Sequence, residues 1–434
     1  MVLYVLNAEL EIIKVVDSAS SVIWTRRYYE AGDFEIYIKA DDDIRKYLTP
    51  GNYIMRFDSD TAYVIESLKL QTDAENGDYM TVTGRDLKAM LKRRIIWKQT
   101  LLQGTLKECI ERILNENVIN PESSARALNM TIGNYSIRDI HMEAQYTGDD
   151  IYEVITALCK ANDIGWNIRI TDDRKLEFYM YEGINRSYGQ TENDYVTFSC
   201  DFENIVTSEY AYDKSELRNV ALVAGEGEGL YRRTYVVGQH TGDNRRELFV
   251  DAKDITSDTG EEVTESFSVS SRDKSHTFTN YIYSINKVTI TDPDTSVGSY
   301  DSDNYTHNNQ TWDNRTVYFN DCTSGWSESS GKEIYRTYGV SITYNKGLSP
   351  DEYNALLAQR GREKLAELQA VEGLRGEVDS TRQYIVDEDF FLGDIVQIEN
   401  EYGIQAQPRI IEIIESEDEN GISVIPTFTT WEVI

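Results

Sequence analysis

Short runs of alternating apolar and polar side chains, each cut off by turn residues, recur along this chain, and that period belongs to half-buried strands. Residues 1–98 show it most densely: Leu3-Tyr4-Val5-Leu6, Glu11–Val16, Ser21-Val22-Ile23-Trp24, Phe34–Ile38, Tyr53–Phe57, Ala62–Ile65 and Tyr79–Val82. Asn76-Gly77, between two such runs, predicts a tight hairpin. Evenly spaced short strands favour a barrel or a sandwich. A short helix is expected after them, capped by Asp86, with Leu87, Met90 and Leu91 on one side.

The pattern then changes. Thr105-Leu106-Lys107-Glu108 is a capping box, followed by Ile110, Ile113 and Leu114 at helical spacing. A second helix is expected from about Asp149, with Ile151, Val154, Ile155 and Leu158 inward, stopping near Asn162-Asp163. Trp166–Ile170 and Lys175–Tyr181 read as strands, so 99–198 is a mixed α+β segment. Strands return at Arg218–Val223 and Arg233–Val237. No Leu occurs from 249 to 347, and Ser, Thr, Asn and Asp fill more than half of 254–334. These residues compete for the helix backbone, while Phe267/Val269, Tyr281/Tyr283 and Val317/Phe319 keep strand alternation, which predicts an inserted β subdomain with polar loops. Ser349-Pro350-Asp351-Glu352 opens the longest helix, expected to reach about Gln369 and to be ended by Gly373 and Gly376. Strands are expected again at Gln383–Val386, Ile395–Ile398, Ile410–Ile414 and Ser423–Pro426, with Asn420-Gly421 as a hairpin turn. The fold class is therefore α+β, predominantly β and multi-domain. Its expected parts are a barrel-like domain (1–98), a mixed domain (99–198), a β-rich domain with the insertion (199–345), and a helix with a second barrel-like domain (346–434).

With 434 residues there is room for about three such domains, with cores that need no disulfide or metal. Cys109, Cys159, Cys200 and Cys322 form no CxxC pair; Cys109 and Cys159 fall on apolar helix faces, as buried thiols do. Reduced thiols fit assembly in a cytosol. The opening Met1–Leu6 lacks a basic leader and Glu9 and Glu11 interrupt it, which argues against a signal peptide; no stretch approaches the ~20 apolar residues of a membrane span. Thirty tyrosines suit water-facing strands and subunit contacts. Net charge is −32, which argues against a nucleic-acid-gripping surface. Residues 1–98 are nearly balanced, 14 basic against 16 acidic, whereas 99–434 carry 29 against 59. Such an excess serves solubility; it also suits a wall that nucleic acid passes without sticking.

Motifs for chemistry are sparse. His141, His240, His276 and His307 have no His or Cys partner at metal-ligand spacing, and there is no GxSxG elbow. Gly225-Glu226-Gly227-Glu228-Gly229 follows a strand, but Leu230–Val237 continues as strand where a dinucleotide site needs a helix, and two glutamates would repel phosphate. A bulge or wide turn is expected there. Asp292-Pro293-Asp294 and Asp301-Ser302-Asp303-Asn304 have calcium-like spacing, but Thr306 and Trp312 stand where an EF-hand needs Gly and Glu; solvated turns or an opportunistic calcium site remain. The many carboxylates permit a glycosidase, although nothing singles out a pair. Arg85, Lys88, Lys92, Arg93, Arg94 and Lys98 form a local basic cluster, either a solvated helix face or a contact for an acidic neighbouring subunit. No catalytic, cofactor-binding or metal residue is assigned.

The run Ser21–Ile36, SVIWTRRYYEAGDFEI, resembles the opening of siphophage tail-tip hub proteins, and Gly84-Arg85-Asp86-Leu87 and Arg93-Arg94-Ile95-Ile96 resemble elements that follow it. Asn219-Val220 with the glycine-glutamate run, Arg232-Arg233 and Arg245–Asp251 are similar to the family's central segment, and Phe391-Leu392-Gly393-Asp394-Ile395-Val396 to its closing barrel. The matches span nearly the whole chain; 254–334 lies outside them. The resemblance implies a virion protein of the tail tip: a homotrimeric ring, with two barrel-like domains per subunit facing the tail tube. It implies a distal tail protein and a fibre or spike as partners, and a channel for DNA and the tape-measure protein. Related tail-associated proteins often carry a hydrolase or fibre beyond the hub region, and this sequence stops at Ile434, so the expectation is a structural protein and not an enzyme. A receptor- or carbohydrate-binding tail protein using 254–334, and a tail-associated peptidoglycan hydrolase, are the alternatives.

Overall fold

The computed structural model describes residues 1–73, 77–199, 201–307, 315–378, 384–399, 405–419 and 421–430. Asn76, Cys200, Trp312, Gln383 and Asn420, which the sequence singles out, lie outside them.

The largest element is an eleven-stranded sheet that draws on both ends of the chain. Its order is Ile205–Asp213, Val371–Val378, Gly421–Thr430, Arg409–Asp418, Ser21–Arg27, Asp33–Lys39, Gly77–Asp86, Ala62–Asp73, Tyr53–Arg56, Leu3–Leu6, Ile12–Val16. The two ends join where Ser21–Arg27 runs antiparallel to Arg409–Asp418, placing Trp24 opposite Glu415 and Arg26 opposite Ile413. Alternation does the work expected of it: in Asp33–Lys39, Phe34, Ile36 and Ile38 are buried while Glu35, Tyr37 and Lys39 face water. Phe34, Ile36 and Ile38 meet Leu3, Val5, Trp24, Tyr63 and Val82 in one core, each contributing on the order of 1.5–3 kcal/mol by leaving water. Closure into a barrel is not among the described pairings.

The mixed segment forms as its caps dictate. Thr105 Oγ1 accepts from the Glu108 amide at 3.2 Å and Glu108 Oε2 accepts from the Thr105 amide at 2.9 Å, opening the helix Leu106–Leu114. The helix Ile151–Ala161 starts from Asp150, one residue after the expected Asp149, whose carboxylate instead accepts from the Thr147 amide. Both pack over a sheet of Gly165–Ile170, Leu176–Tyr181 and Met130–Ile132, the last pair parallel. After Asp86 the helix is a 3₁₀ helix, Leu87–Arg93, with the Asp86 carboxylate accepting from the Lys88 amide.

Val220–Ala224 lies between Thr234–Val237 and Glu247–Asp251 in a three-stranded sheet whose inner face packs on the helix Pro350–Ala366. Ser349 and Glu352 cap that helix reciprocally. It ends at Ala366, short of Gln369, and Gly373 and Gly376 are not its terminators: they sit inside the strand Val371–Val378, whose backbone pairs on both sides. Tyr384-Ile385-Val386 is likewise not a strand, having only the isolated bridge from Val386 to Phe390, and the strand expected from Ile395 begins at Gln397.

Among the described residues, the polar insertion and the strand Thr337–Gly347 form a four-stranded and a three-stranded sheet around a core of Val269, Phe278, Ile290, Phe319, Tyr338 and Tyr344, with a two-stranded hairpin at Gly325–Ile334. The insertion's composition follows from its exposed faces, where hydroxyls bond across strands: Thr264 with Thr343 at 2.9 Å, Ser266 with Ser341 at 3.2 Å, Thr291 with Ser299 at 2.8 Å.

Candidate functional site

Three distant segments meet beside the Ser21–Arg27 strand, around a cleft of about 850 Å³ lined by Trp24, Arg26, Arg56, Tyr181, Phe391 and Glu415 among others. Arginine–carboxylate pairs close the meeting. Arg26 bonds Asp387 at 2.9 Å and lies 3.3 Å from Glu415; Arg56 pairs with the same Glu415 at 2.8 Å and with Asp58 at 2.7 Å. Burial works against the Arg26 charge, but Glu415 and Asp387 outweigh it and hold its pKa above the ordinary value. Arg27 Nε donates to Glu412 at 2.7 Å. Planar guanidinium forks suit such joints, because two parallel bonds fix orientation as well as distance.

Tyr28 and Tyr29 anchor the mixed segment. The Tyr28 hydroxyl donates to the Tyr181 carbonyl at 3.2 Å and accepts from the Gly183 amide at 3.3 Å. Its ring fills the space that side chains at Gly165 and Gly393 would need: a Cβ there would sit 2.1 and 2.3 Å from ring carbons. Gly393 also has φ +99°, a region that glycine enters without strain. Tyr29 donates to Asp163 at 2.5 Å, and Arg409 pairs with the same Asp163 and donates to the Gly393 carbonyl. Asp394 accepts from the Ile184 amide and from Arg186 Nε, each at 2.7 Å. Three of the runs singled out in the sequence, Ser21–Ile36, Gly84–Leu87 and Phe391–Val396, therefore converge on one joint.

Lys88 changes the reading of the basic cluster. Its side chain is only 2% exposed, and its ammonium donates to the Arg27 and Glu30 carbonyls at 2.6 and 2.7 Å, 3.8 Å from Asp86. Burial lowers the Lys88 pKa and raises that of Asp86, each group's charge opposing the other's shift. Arg85 is taken by Glu66, Lys92 by Glu153, Lys98 by Glu122, and Arg94 donates to the Arg126 carbonyl. The cluster is thus not a single solvated helix face: Arg85, Lys92 and Lys98 each pair with a carboxylate of this chain, and Lys88 is core.

A second set of motif residues braces the Pro350–Ala366 helix. The Tyr353 hydroxyl donates to the Ile255 carbonyl and accepts from the Glu226 amide, both at 2.8 Å. Arg233 stacks over its ring at 4.1 Å. Glu226 Oε2 accepts from the Ser257 amide at 3.1 Å, so the glycine-glutamate turn is a structural bracket. Burial raises the pKa of Glu363, which accepts from Tyr146 at 2.7 Å and Gln359 at 3.0 Å. Sequence patterning did not single out Glu363, Tyr146 or Arg186; Glu363 follows Gln359 at i+4, the only local signal it gives.

Around the cleft, Asp58, Glu182, Asp387, Asp394 and Glu415 are each in an ion pair with an arginine. Asp301 is engaged by Thr289 and Lys287. Cys109, Cys159 and Cys322 are buried free thiols, and burial raises the pKa of Cys109 and Cys322 to about 11. Tyr28, Tyr63, Tyr338, Tyr344 and Tyr353 are buried, so the abundance of tyrosine serves the cores as well as water-facing strands.

The sequence matches the Siphovirus ReqiPepy6 Gp37-like protein family over residues 2–428, spanning every part of this joint. The chain belongs to that family. The siphophage tail-associated resemblance read from the motifs is thereby borne out, as is the mainly β, multi-domain α+β fold class. Among solved structures, this Gp37-like chain is similar to the prophage MuSo2 43 kDa tail protein from Shewanella oneidensis (10% identity, 99% of this chain, 98% of that chain, TM-score 0.48). It is also similar to a tail protein from Neisseria meningitidis MC58 (11% identity, 99% and 96% covered, TM-score 0.48). The third is the prophage tail protein gp18 from Listeria monocytogenes EGD-e (11% identity, 99% and 94% covered, TM-score 0.45). No curated protein matches.

Proposed function

We propose that this phage tail structural protein is the hub of a tail tip. In this reading three copies close into a ring that joins the tail tube to a distal fibre or spike, and the lumen passes DNA and the tape-measure protein. Its neighbours are a distal tail protein, the tube and the fibre or spike, and it makes and breaks no covalent bond. One observation carries the proposal: the runs near both ends of the chain that resemble tail-tip hub proteins converge on a joint built of paired charges and interlocked glycines, the construction of a rigid connector. The excess of acidic groups beyond residue 98 supports a lumen that DNA traverses without binding. Mass photometry followed by class-averaged microscopy tests it: a trimer with a threefold ring is expected, and a protein that stays monomeric at high concentration and beside its tail partners overturns it.

A second reading concerns the insertion, which packs on the strand Thr337–Gly347 and leaves Tyr318 and Trp326 exposed. Aromatic side chains of this kind suit a receptor or sugar face. Deleting 254–334 would then abolish host adsorption while tails still assemble; unchanged adsorption rejects this reading.

A further inference from the structure

We propose that a small cavity at the end of the helix Leu106–Leu114, with Trp97 as its platform, binds one neutral sugar ring. The site lies outside both the arginine joint and the 254–334 insertion, and it does not rest on the ring reading above.

The local backbone makes the platform rigid. The helix runs on into one turn of π-helix, Asn115–Ile119, in which the Asn120 amide reaches back to the Asn115 carbonyl at 2.8 Å. Such widened turns are rare and recur at functional sites. Within this one Asn117 is buried; its Oδ1 accepts from the Trp97 amide at 3.0 Å and its Nδ2 donates to the Ile113 carbonyl at 3.1 Å. The residue before Trp97 is pinned too, its amide donating to the Asp149 carbonyl at 2.9 Å and its carbonyl accepting from Gly148 at 2.8 Å. Arg126 Nη2 donates to the Ile95 carbonyl at 2.8 Å, which sets the guanidinium over the Trp97 ring at 4.6 Å from its centre.

An indole fixed from so many sides is ordinarily covered. Trp97 is 61% exposed, and with Arg126 on one face that exposure belongs to the other face and the ring edge. The ring borders a cavity of about 330 Å³, together with Glu116, Asn117, Asn120, Glu122 and Arg126. That volume is at the low end of the roughly 300–1,000 Å³ of small-molecule sites, so it suits a single ring.

The chemistry of the rim selects the ligand. A phosphate or carboxylate would face Glu116 and Glu122, while the nearby cations are already taken: Arg112 by Glu116 and Lys98 by Glu122, each at 2.8 Å. A quaternary ammonium is drawn to an indole face, but the Arg126 guanidinium holds this π system from behind and opposes a second cation. A neutral polyol meets neither obstacle. Its C–H face can lie on the ring, and its hydroxyls can donate to the carboxylate oxygens of Glu116 and Glu122 that the two cations leave over.

The test uses the full chain and saturation-transfer difference NMR. Methyl α-glucoside, methyl β-galactoside and N-acetylglucosamine serve as separate probes at about 1–10 mM, since a single-ring contact binds on the order of millimolar. Wild type should transfer saturation to the ring C–H protons of at least one probe. Trp97→Ala should weaken binding roughly tenfold or more, as loss of a central aromatic contact gives. Glu122→Gln, at a side chain 77% exposed, should weaken it less and leave thermal unfolding unchanged. Trp97→Phe keeps a smaller platform and should bind between wild type and Trp97→Ala, which preserves the test if the alanine variant unfolds. Trp326→Ala should bind as wild type does. Transfer to none of the three probes, or transfer unchanged in Trp97→Ala, overturns the site. Transfer lost in Trp326→Ala alone moves the sugar to the insertion and overturns it equally, and competition by tetramethylammonium or inorganic phosphate overturns the neutral assignment.

Discussion

Replacing Asp394 by alanine tests whether the joint is held by paired charges. The carboxylate is 1% exposed; Oδ1 accepts from the Ile184 amide at 2.7 Å, and Oδ2 from Arg186 Nε at 2.7 Å and the Phe391 amide at 3.1 Å. Alanine would leave two amides without an acceptor and a guanidinium, itself only 14% exposed, without a counter-charge. Removing one partner of a buried pair costs about 3–5 kcal/mol, several times the ~1 kcal/mol typical of a surface pair. Unfolding of so long a chain need not be two-state, so a global midpoint alone would blur the effect. Hydrogen–deuterium exchange followed by mass spectrometry reads it locally, in peptides covering 183–187 and 391–398. Those peptides should lose protection in Asp394→Ala, together with a lower urea midpoint, while peptides of the 254–334 insertion stay unchanged. Asp394→Asn keeps acceptor oxygen but not charge and should fall between. If Asp394→Ala exchanges like wild type and its midpoint does not move, the arginine joints do not hold these segments together.

Other changes bear on the same architecture. Glu363→Gln keeps an acceptor for Tyr146 and Gln359; because burial raises the Glu363 pKa above 4.5, the folded state holds its proton more tightly than the unfolded chain does. Stability from this group is full at low pH and falls as pH rises past 4.5 and through the folded pKa, so the variant should gain on wild type toward neutral pH and match it in acid, as pH-dependent melting would show. Gly393→Ala should destabilise by about 2–4 kcal/mol, since a Cβ would meet the Tyr28 ring at 2.3 Å from a φ of +99°; an unchanged melting temperature would contradict that packing. Lys88→Met should cost about 3–5 kcal/mol in urea titration by leaving the Arg27 and Glu30 carbonyls unbonded; a neutral result would mean that water replaces the ammonium. Ser349→Ala should cost about 1 kcal/mol, measured the same way, through loss of the cap on Pro350–Ala366.

What the sequence made legible was local. Period-two alternation located Asp33–Lys39, and the Thr105/Glu108 and Ser349/Glu352 boxes marked the helix starts, because those signals act within a few residues. The misreadings came where distant chain decided the outcome. Gly373 and Gly376 look like helix stops, yet their backbone serves a strand because Ile205–Asp213 and Gly421–Thr430 flank it. Lys88 looks like part of a solvated basic face, yet it is core because two carbonyls from the Arg27–Glu30 turn close over its ammonium. Nothing in a window of twenty residues announces either partner.

The same contrast explains why the motif runs mattered more than any one residue in them. Trp24–Phe34 and Phe391–Val396 are some 360 residues apart in the chain, yet Tyr28 is packed against Gly393 and Arg26 is bonded to Asp387. Glu415 is shared by two guanidiniums and Asp394 by a guanidinium and two amides, so each carboxylate ties together residues that lie far apart in the chain.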